Sequence, residues 1–426
     1  MNLQEASESK DTSHEHAEAC EAMTSSRRAV LGAAGALFAW SFVPRMAYAA
    51  PGARDPRLLV VILRGAMDGL SAVPPLADPD YQGLREGIAL RKDGENAALP
   101  LDGFFYLHPA MPNLARLYKA NQATVLHAVA TGYRQRSHFD GQDVLESGQA
   151  GPGQTADGWL NRLLSSLPAG EGISRKGALG IGVVPPLVVR GAAPVLGWAP
   201  PVLPRAGDDL VMRLLDLYGQ RDPVLAKAFA KGIDVEKIVA REGMGAQRAR
   251  GGPDNAEGMR AIAEGAARLV NADDGPRVAA LAFEGWDTHA NEGGATGRLA
   301  SLLGGLDGAL ATFEAGLKDR WKDTVVMVVT EFGRTARVNG TIGTDHGTGT
   351  VAFLVGGAVR GGRVIADWPG LKLENLHEQR DLKPTMDLRA VTKGILTDLF
   401  GISGPVLAEK VFPGTSGLEP VKGLVA

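Results

Sequence analysis

Apolar residues fall in short unbroken runs along this chain. Residues 58–63 read Leu-Leu-Val-Val-Ile-Leu, and comparable runs occupy 124–129, 278–283, 324–330 and 351–355. Most of these runs do not alternate with polar residues, which predicts strands covered on both faces, as in a parallel sheet. Between the runs, apolar spacings of three and four predict helices at 111–121 and 297–320. In the second, Leu299, Leu302, Leu303, Leu306, Leu310 and Phe313 form one stripe. Strand–helix alternation of this kind predicts an α/β sheet with helices on both sides.

The middle of the chain, about 151–274, breaks the alternation. Residues 194–204 are proline-rich, and 243–255 form a Gly/Arg stretch that reads as a loop. We expect an insertion here, carrying a helical cap near the sheet edge. It contains no histidine, and no internal repeat is visible.

The N-terminus follows other rules. Residues 1–24 are polar. Ser25-Ser26-Arg27-Arg28 then leads into an apolar run ending near Val43, and Ala47-Tyr48-Ala49 supplies a small-x-small end. The run is shorter than the roughly 20 residues a spanning helix needs. This predicts a twin-arginine signal segment at 1–49, cut after Ala49. The twin-arginine translocase is then a partner, the destination is the periplasm or the exterior, and no permanent membrane anchor remains. The alternative is a cytoplasmic protein with an apolar N-terminal helix. Residues 50–426 are expected to form a single domain around the insertion.

Charge and cysteine narrow the function classes. Residues 50–426 carry 41 basic against 42 acidic side chains, so no basic excess points to nucleic acid. The one cysteine, Cys20, lies in the leader, which leaves no disulfide and no thiol nucleophile behind it.

The remaining chemistry gathers near predicted strand ends. Asp68 follows the first strand, Asp287 and His289 follow the run at 278–283, and Glu331 follows the run at 324–330. Asp345 and His346 sit in a Gly/Thr loop ahead of 351–355. In open α/β sheets, ligands bind beyond the carboxyl ends of strands. Mixed carboxylate and imidazole donors suit Zn²⁺ first, with Mn²⁺ or Fe as alternatives, over Ca²⁺ or Mg²⁺. Plainer readings stand beside these. Asp68 could serve a turn, Asp287 and His289 could bridge a loop, and Arg334 could simply pair Glu331. Ser137 could only cap the helix predicted at 139–146. His127 reads as a core histidine, and His108 and His377 as structural or exposed.

The stretches LLVVILRGAMDGL, LHPAMPNLARLYKANQATVLHAV, RSHFDGQDVLESG, GWDTHANEGG, VVMVVTEFGRTARVNGTIGTDHGTGTVAFLVGG and DLKPTMDLRAVTKGIL resemble the domain-of-unknown-function 1501 family of exported bacterial proteins. That family is similar to the alkaline phosphatase and sulfatase superfamily. The resemblance implies an α/β, alkaline-phosphatase-like three-layer α/β/α sandwich with a mostly parallel central sheet and a helical or irregular insertion. It implies that Asp68 matches the first-strand acid, Ser137 the nucleophile at a helix N-terminus, Asp287 and His289 the paired ligands, Glu331 the acid after the late strand and His346 the last histidine. The pattern departs in three places, one being a longer loop at Asp68 than usual. The paired ligands are two apart where the superfamily uses four, and Phe332 stands where a histidine would follow Glu331.

The expected function is an exported metal-dependent hydrolase of small anionic esters, phosphate or sulfate. Asp68, Asp287, His289, Glu331, Asp345 and His346 would hold divalent metal. Ser137 would attack or orient water, Arg334 (or Arg134 or Arg136) would hold the anion, and His138 would act as general acid. The rival is a non-catalytic exported binding or scaffold protein that keeps the fold with a degraded metal site. A cytoplasmic mutase of the same superfamily conflicts with the leader.

Overall fold

The computed structural model describes residues 55–167, 177–182, 184–200, 208–241 and 252–426. The predicted signal segment, with Arg27, Arg28 and Cys20, lies outside the described residues.

Nine strands form one mixed sheet: β1 (Arg57–Leu63), β2 (Ala123–Ala130), β3 (Ala178–Ile181), β4 (Val195–Trp198), β5 (Val278–Phe283), β6 (Thr324–Thr330), β7 (Thr350–Val355), β8 (Arg363–Ile365) and β9 (Met386–Asp387). Their order is β8-β2-β7-β6-β1-β5-β3-β4, with β9 also pairing β2. Every pairing is parallel except those of β7, which runs against both β2 and β6. β1 sits in register between β5 and β6, with Val61 opposite Leu281 on one side and Val328 on the other.

Period-two alternation sorts β1 between two cores. Leu59, Val61 and Leu63 face one layer with α2 (Pro112–Lys119), α7 (Ala256–Asn271) and α8 (Arg298–Leu317). Leu58, Val60 and Ile62 face the other with α4 (Trp159–Ser166) and α9 (Leu388–Phe400). This is the three-layer α/β/α arrangement with a mostly parallel sheet that the sequence implied. The chain also forms α1 (Gly69–Ala72), α3 (His138–Ser147), α5 (Asp208–Arg221) and α6 (Pro223–Arg241).

The segment at 151–274 carries helices α4 to α7 and, besides them, two strands. It contributes β3 and β4, which extend the sheet beyond β5, and α7, which packs in the main core. Each of the two strands has only four residues, and Gly180 and Gly197 interrupt their apolar character. No apolar run long enough to read as a strand therefore appears in the sequence. Among the described residues, no helix is long and apolar enough to cross a membrane.

The topology brings five segments to one edge. The turns after β1, β2, β5 and β6 leave it, and because β7 is reversed, the loop at 343–349 enters it. Helix α3 starts there. Ser137 is its N-cap residue, without a side-chain cap bond, and Gly148 closes it in the left-handed region at φ 69°. Gly141 lets α3 lie close, since a Cβ there would stand 2.9 Å from the Phe332 ring.

Candidate metal centre

Two tight turns set the stage. Gly65 has φ +118°, and a Cβ on it would come 2.5 Å from the Asp287 amide nitrogen. Glycine therefore allows the turn after β1 to rest against the turn after β5. The Gly65 amide donates to Glu331 Oε1 at 2.9 Å. Glu331 is fully buried at the end of β6 and also accepts from Gln142 Nε2 at 3.1 Å and Thr330 Oγ1 at 2.9 Å. Burial alone would raise its pKa, but the bond from His138 first, then those from Gln142 and the Gly65 amide, hold it below the usual carboxylate range.

Three imidazoles are oriented alike. His138 Nδ1 lies 2.8 Å from Glu331 Oε1, His289 Nδ1 3.1 Å from Asp345 Oδ1, and His346 Nδ1 2.8 Å from the Arg136 carbonyl oxygen. A carbonyl and an ionised carboxylate can only accept. Asp345 is ionised: burial opposes this, but Asn339 and His289 outweigh it and lower its pKa. Each Nδ1 therefore carries a proton, and in a neutral ring the Nε2 is then left with a lone pair.

Those lone pairs converge. His289 Nε2 and His346 Nε2 face each other at 2.9 Å, and both approach Asp287 Oδ1, at 3.0 and 3.2 Å. His138 Nε2 is 3.5 Å from Asp287 Oδ2 and has no hydrogen-bond partner. Ligand atoms of His138, Asp287 and His346 all lie within 4.8 Å of one another, and this is the one such group of three among the described residues. Facing acceptors repel unless a cation or an extra proton lies between them. Burial, then the His138 charge, lowers the His346 pKa and keeps that ring neutral. Burial also works against charging His138, but Glu331 and then Asp287 outweigh it and raise its pKa. With its rings neutral, the donor set fits a divalent metal in both chemistry and tautomer, with Glu331, Asp345 and the Arg136 carbonyl backing the three rings.

Arg334 supplies fixed positive charge. It is buried, with Nη1 2.7 Å from Asp287 Oδ1, Nε 3.3 Å from Thr344 Oγ1, and Nη2 unpartnered. Burial raises the Asp287 pKa, but the Arg334 bond and charge overcome it and keep the carboxylate ionised.

Of the residues singled out in the sequence, Asp287 and His346 enter the metal-capable group, with His289 against both. His138, expected as a general acid, is the group's third member. Glu331 and Asp345 stand behind imidazoles. Asp68 is engaged elsewhere. It N-caps α1 by accepting from the Ser71 amide at 3.0 Å, and its other oxygen pairs with buried Arg85. Ser137 directly precedes His138, and its amide donates to Tyr133 Oη at 3.2 Å. Arg134 donates to the Tyr133 carbonyl at 2.7 Å, and Arg136, at φ 64°, ties its side chain to Asp381 at 2.9 Å. His127 is a core histidine: its Nε2 is 2.9 Å from the Val73 carbonyl, its ring stacks on Phe105, and burial drives its pKa down to about 4. His108, too, is buried, 3.0 Å from the Gly294 carbonyl.

Sequence reasoning missed Arg85, Glu292 and Asn339. Asn339 donates 3.0 Å to Asp345 Oδ1 and 2.9 Å to the His289 carbonyl. Glu292 lies only three residues past His289, and that nearness was a usable signal. Arg85 carries none.

Fold and site together define an α/β protein with a histidine–carboxylate, metal-capable centre at the carboxyl edge of its sheet. The chain belongs to the family described as "Protein of unknown function (DUF1501)", which matches residues 55–411. No curated protein matches it. Among solved structures it is similar to Ps i-CgsB in complex with k-i-k-neocarrahexaose, at 12% identity and TM-score 0.35, over 72% of this chain and 68% of that one. It is also similar to the phosphonate monoester hydrolase of Agrobacterium radiobacter, at 11% identity and TM-score 0.33, over 73% and 70%. Likenesses this loose carry no argument about the reaction.

Proposed function

We propose that this protein is an exported, metal-dependent hydrolase of phosphate or sulfate esters. The observation that carries the reading is the convergence of three imidazoles, each held through Nδ1 by an acceptor, with their Nε2 atoms on the Asp287 carboxylate. His138, Asp287 and His346 would hold a divalent ion, with His289 alongside. Zn²⁺ is the first choice for these donors, and Mn²⁺ or Fe the alternatives. When bound, such an ion supplies Lewis-acid polarisation of an ester oxygen.

The chain's own groups do the rest. Arg334 holds Asp287 through Nη1, and its Nη2 is buried beside it without a partner; a guanidinium matches an anionic oxygen well, and Arg334 would meet one if the site opens to admit the ester. Ser137 stands at the open N-terminus of α3, whose unpaired N–H groups favour an oxyanion, and it is the proposed nucleophile. In this reading His138 is a ligand instead of the general acid. Asp68 stays with Arg85, outside the metal-holding set. The twin-arginine segment at 1–49 delivers the folded protein to the periplasm or beyond.

Elemental analysis of the purified protein, followed by a screen of phosphate mono- and diesters and sulfate esters, tests the reading. About one equivalent of Zn, Mn or Fe and turnover that Ser137→Ala abolishes, with fold and metal retained, are expected. A metal-free wild type in metal-replete medium overturns it. Normal periplasmic accumulation of the Arg27→Lys, Arg28→Lys variant would refute the export half.

The second reading is a non-catalytic exported protein. Phe332 favours it, because this ring stacks on His138 at 5.1 Å in the place where the resemblance puts a further histidine ligand. Protein that carries almost no metal and turns over no ester would select it.

A further inference from the structure

We infer that Glu292 is a positioning residue for the metal centre, a buried carboxyl that ties the two ligand-bearing loops together and anchors them to helix α1. The inference rests on the metal-site reading above. Thr288, between Asp287 and His289, donates its hydroxyl to Glu292 Oε2 at 3.0 Å. Thr344, just before Asp345 and His346, donates to the same oxygen at 2.7 Å. One oxygen therefore spans both loops, and the Thr344 amide reinforces the link by donating to the Thr288 carbonyl at 3.1 Å. The Thr344 hydroxyl accepts from Arg334 Nε, which leaves its own hydrogen for Glu292. On the other side, Glu292 Oε1 accepts from Ser71 Oγ at 3.1 Å, and that hydroxyl accepts from Arg85 Nη2 at 2.6 Å. Arg85 pairs with Asp68 at the head of α1.

Glu292, Arg85 and Asp68 are 0%, 0% and 1% exposed. Burying two carboxyls around one guanidinium is costly, and apolar side chains would hold loops together at lower cost. What the network adds is direction. Two short hydroxyl bonds to one oxygen fix the spacing of the loops that present His289 and His346 to each other. Glu292 touches neither ring, so it acts on affinity through geometry. Loss of such outer partners typically weakens metal binding by about 10–100-fold.

The test uses the full chain, with Glu292→Gln and the double variant Thr288→Val, Thr344→Val. Zinc affinity is measured by competition with a chromophoric chelator, and metal-free stability by urea unfolding. About 10–100-fold weaker zinc binding per folded molecule is expected in both variants. Asp307→Asn, which removes a buried carboxylate that accepts from the Asn113 and Leu114 amides, serves as control and should lose stability while keeping wild-type affinity. Wild-type affinity in either folded clamp variant overturns the inference, as does a loss that merely tracks the unfolded fraction. Should Glu292→Gln fail to fold, the double variant decides. A wild type that binds no zinc would refute the metal reading instead. The clamp is then judged by NMR of metal-free protein, where slowly exchanging His289 and His346 Nδ1–H signals should vanish in Glu292→Gln. Their persistence would overturn it.

Discussion

His138 Nδ1 stands 2.8 Å from Glu331 Oε1, so the first residue of helix α3 is fastened to the residue that follows strand β6. The bond sets both the ring's tautomer and the direction of its free nitrogen. Glu331→Gln keeps the size and one acceptor but loses the charge, and it leaves amide donors facing Gly65 and Gln142. We expect a stability loss of about 1–3 kcal/mol and about 10–100-fold weaker metal binding. Urea unfolding and chelator competition measure the two separately. Unchanged metal affinity would detach Glu331 from the centre.

Metal content should follow the converging nitrogens. His346→Ala and His138→Ala are expected to fall from about one equivalent to almost none on elemental analysis. His377→Asn, which alters a half-buried ring outside the group, should retain the wild-type value. Loss of metal in His377→Asn alone would move the site.

Stability should depend on pH through Glu292. Burial, then the neighbouring Asp68 carboxylate, pushes its pKa up to about 8 against an opposing Arg85. The folded protein therefore holds a proton that the unfolded chain releases above its ordinary value of 4.5. Between those two values the native state binds more protons, so the Glu292 contribution to stability falls as pH rises. Urea midpoints of metal-free protein at several pH values should decline across this window, less so in Glu292→Gln. Equal slopes in the two proteins would contradict the shift.

Packing at the head of α3 leaves no spare volume. Alanine at Gly141 gains up to about 1 kcal/mol of helix propensity. Its Cβ, however, would stand 2.9 Å from the Phe332 ring, the ring on which His138 stacks. Overpacking of this kind costs about 1–3 kcal/mol. The expected net result for Gly141→Ala is a lower thermal midpoint and weaker metal binding. A more stable variant would show that Phe332 can move aside freely.

The sheet's centre was legible because β1, β5 and β6 are covered on both faces and so appear as unbroken apolar runs. β3 and β4 were not, because four residues containing a glycine look like any loop. Asp287 and His346 could be picked out because each sits beside a strand end, and strand ends share an edge. The part of His138 could not, because it depends on which ring nitrogen meets Glu331, and that follows from how α3 docks. Arg85 and Glu292 meet only through the folded turns around Ser71, Thr288 and Thr344, and no periodicity encodes such a meeting.

The reversal of β7 has a consequence for the order of assembly. His346 reaches the centre only through the loop that enters this strand, while His138 and Asp287 are delivered by segments made earlier on the ribosome. A chain released before that loop has all of β1, β5 and β6 and still lacks the last imidazole. Any metal capture by this centre would therefore wait until synthesis has passed His346, and a chain cut short before that residue would lack one of the three converging groups.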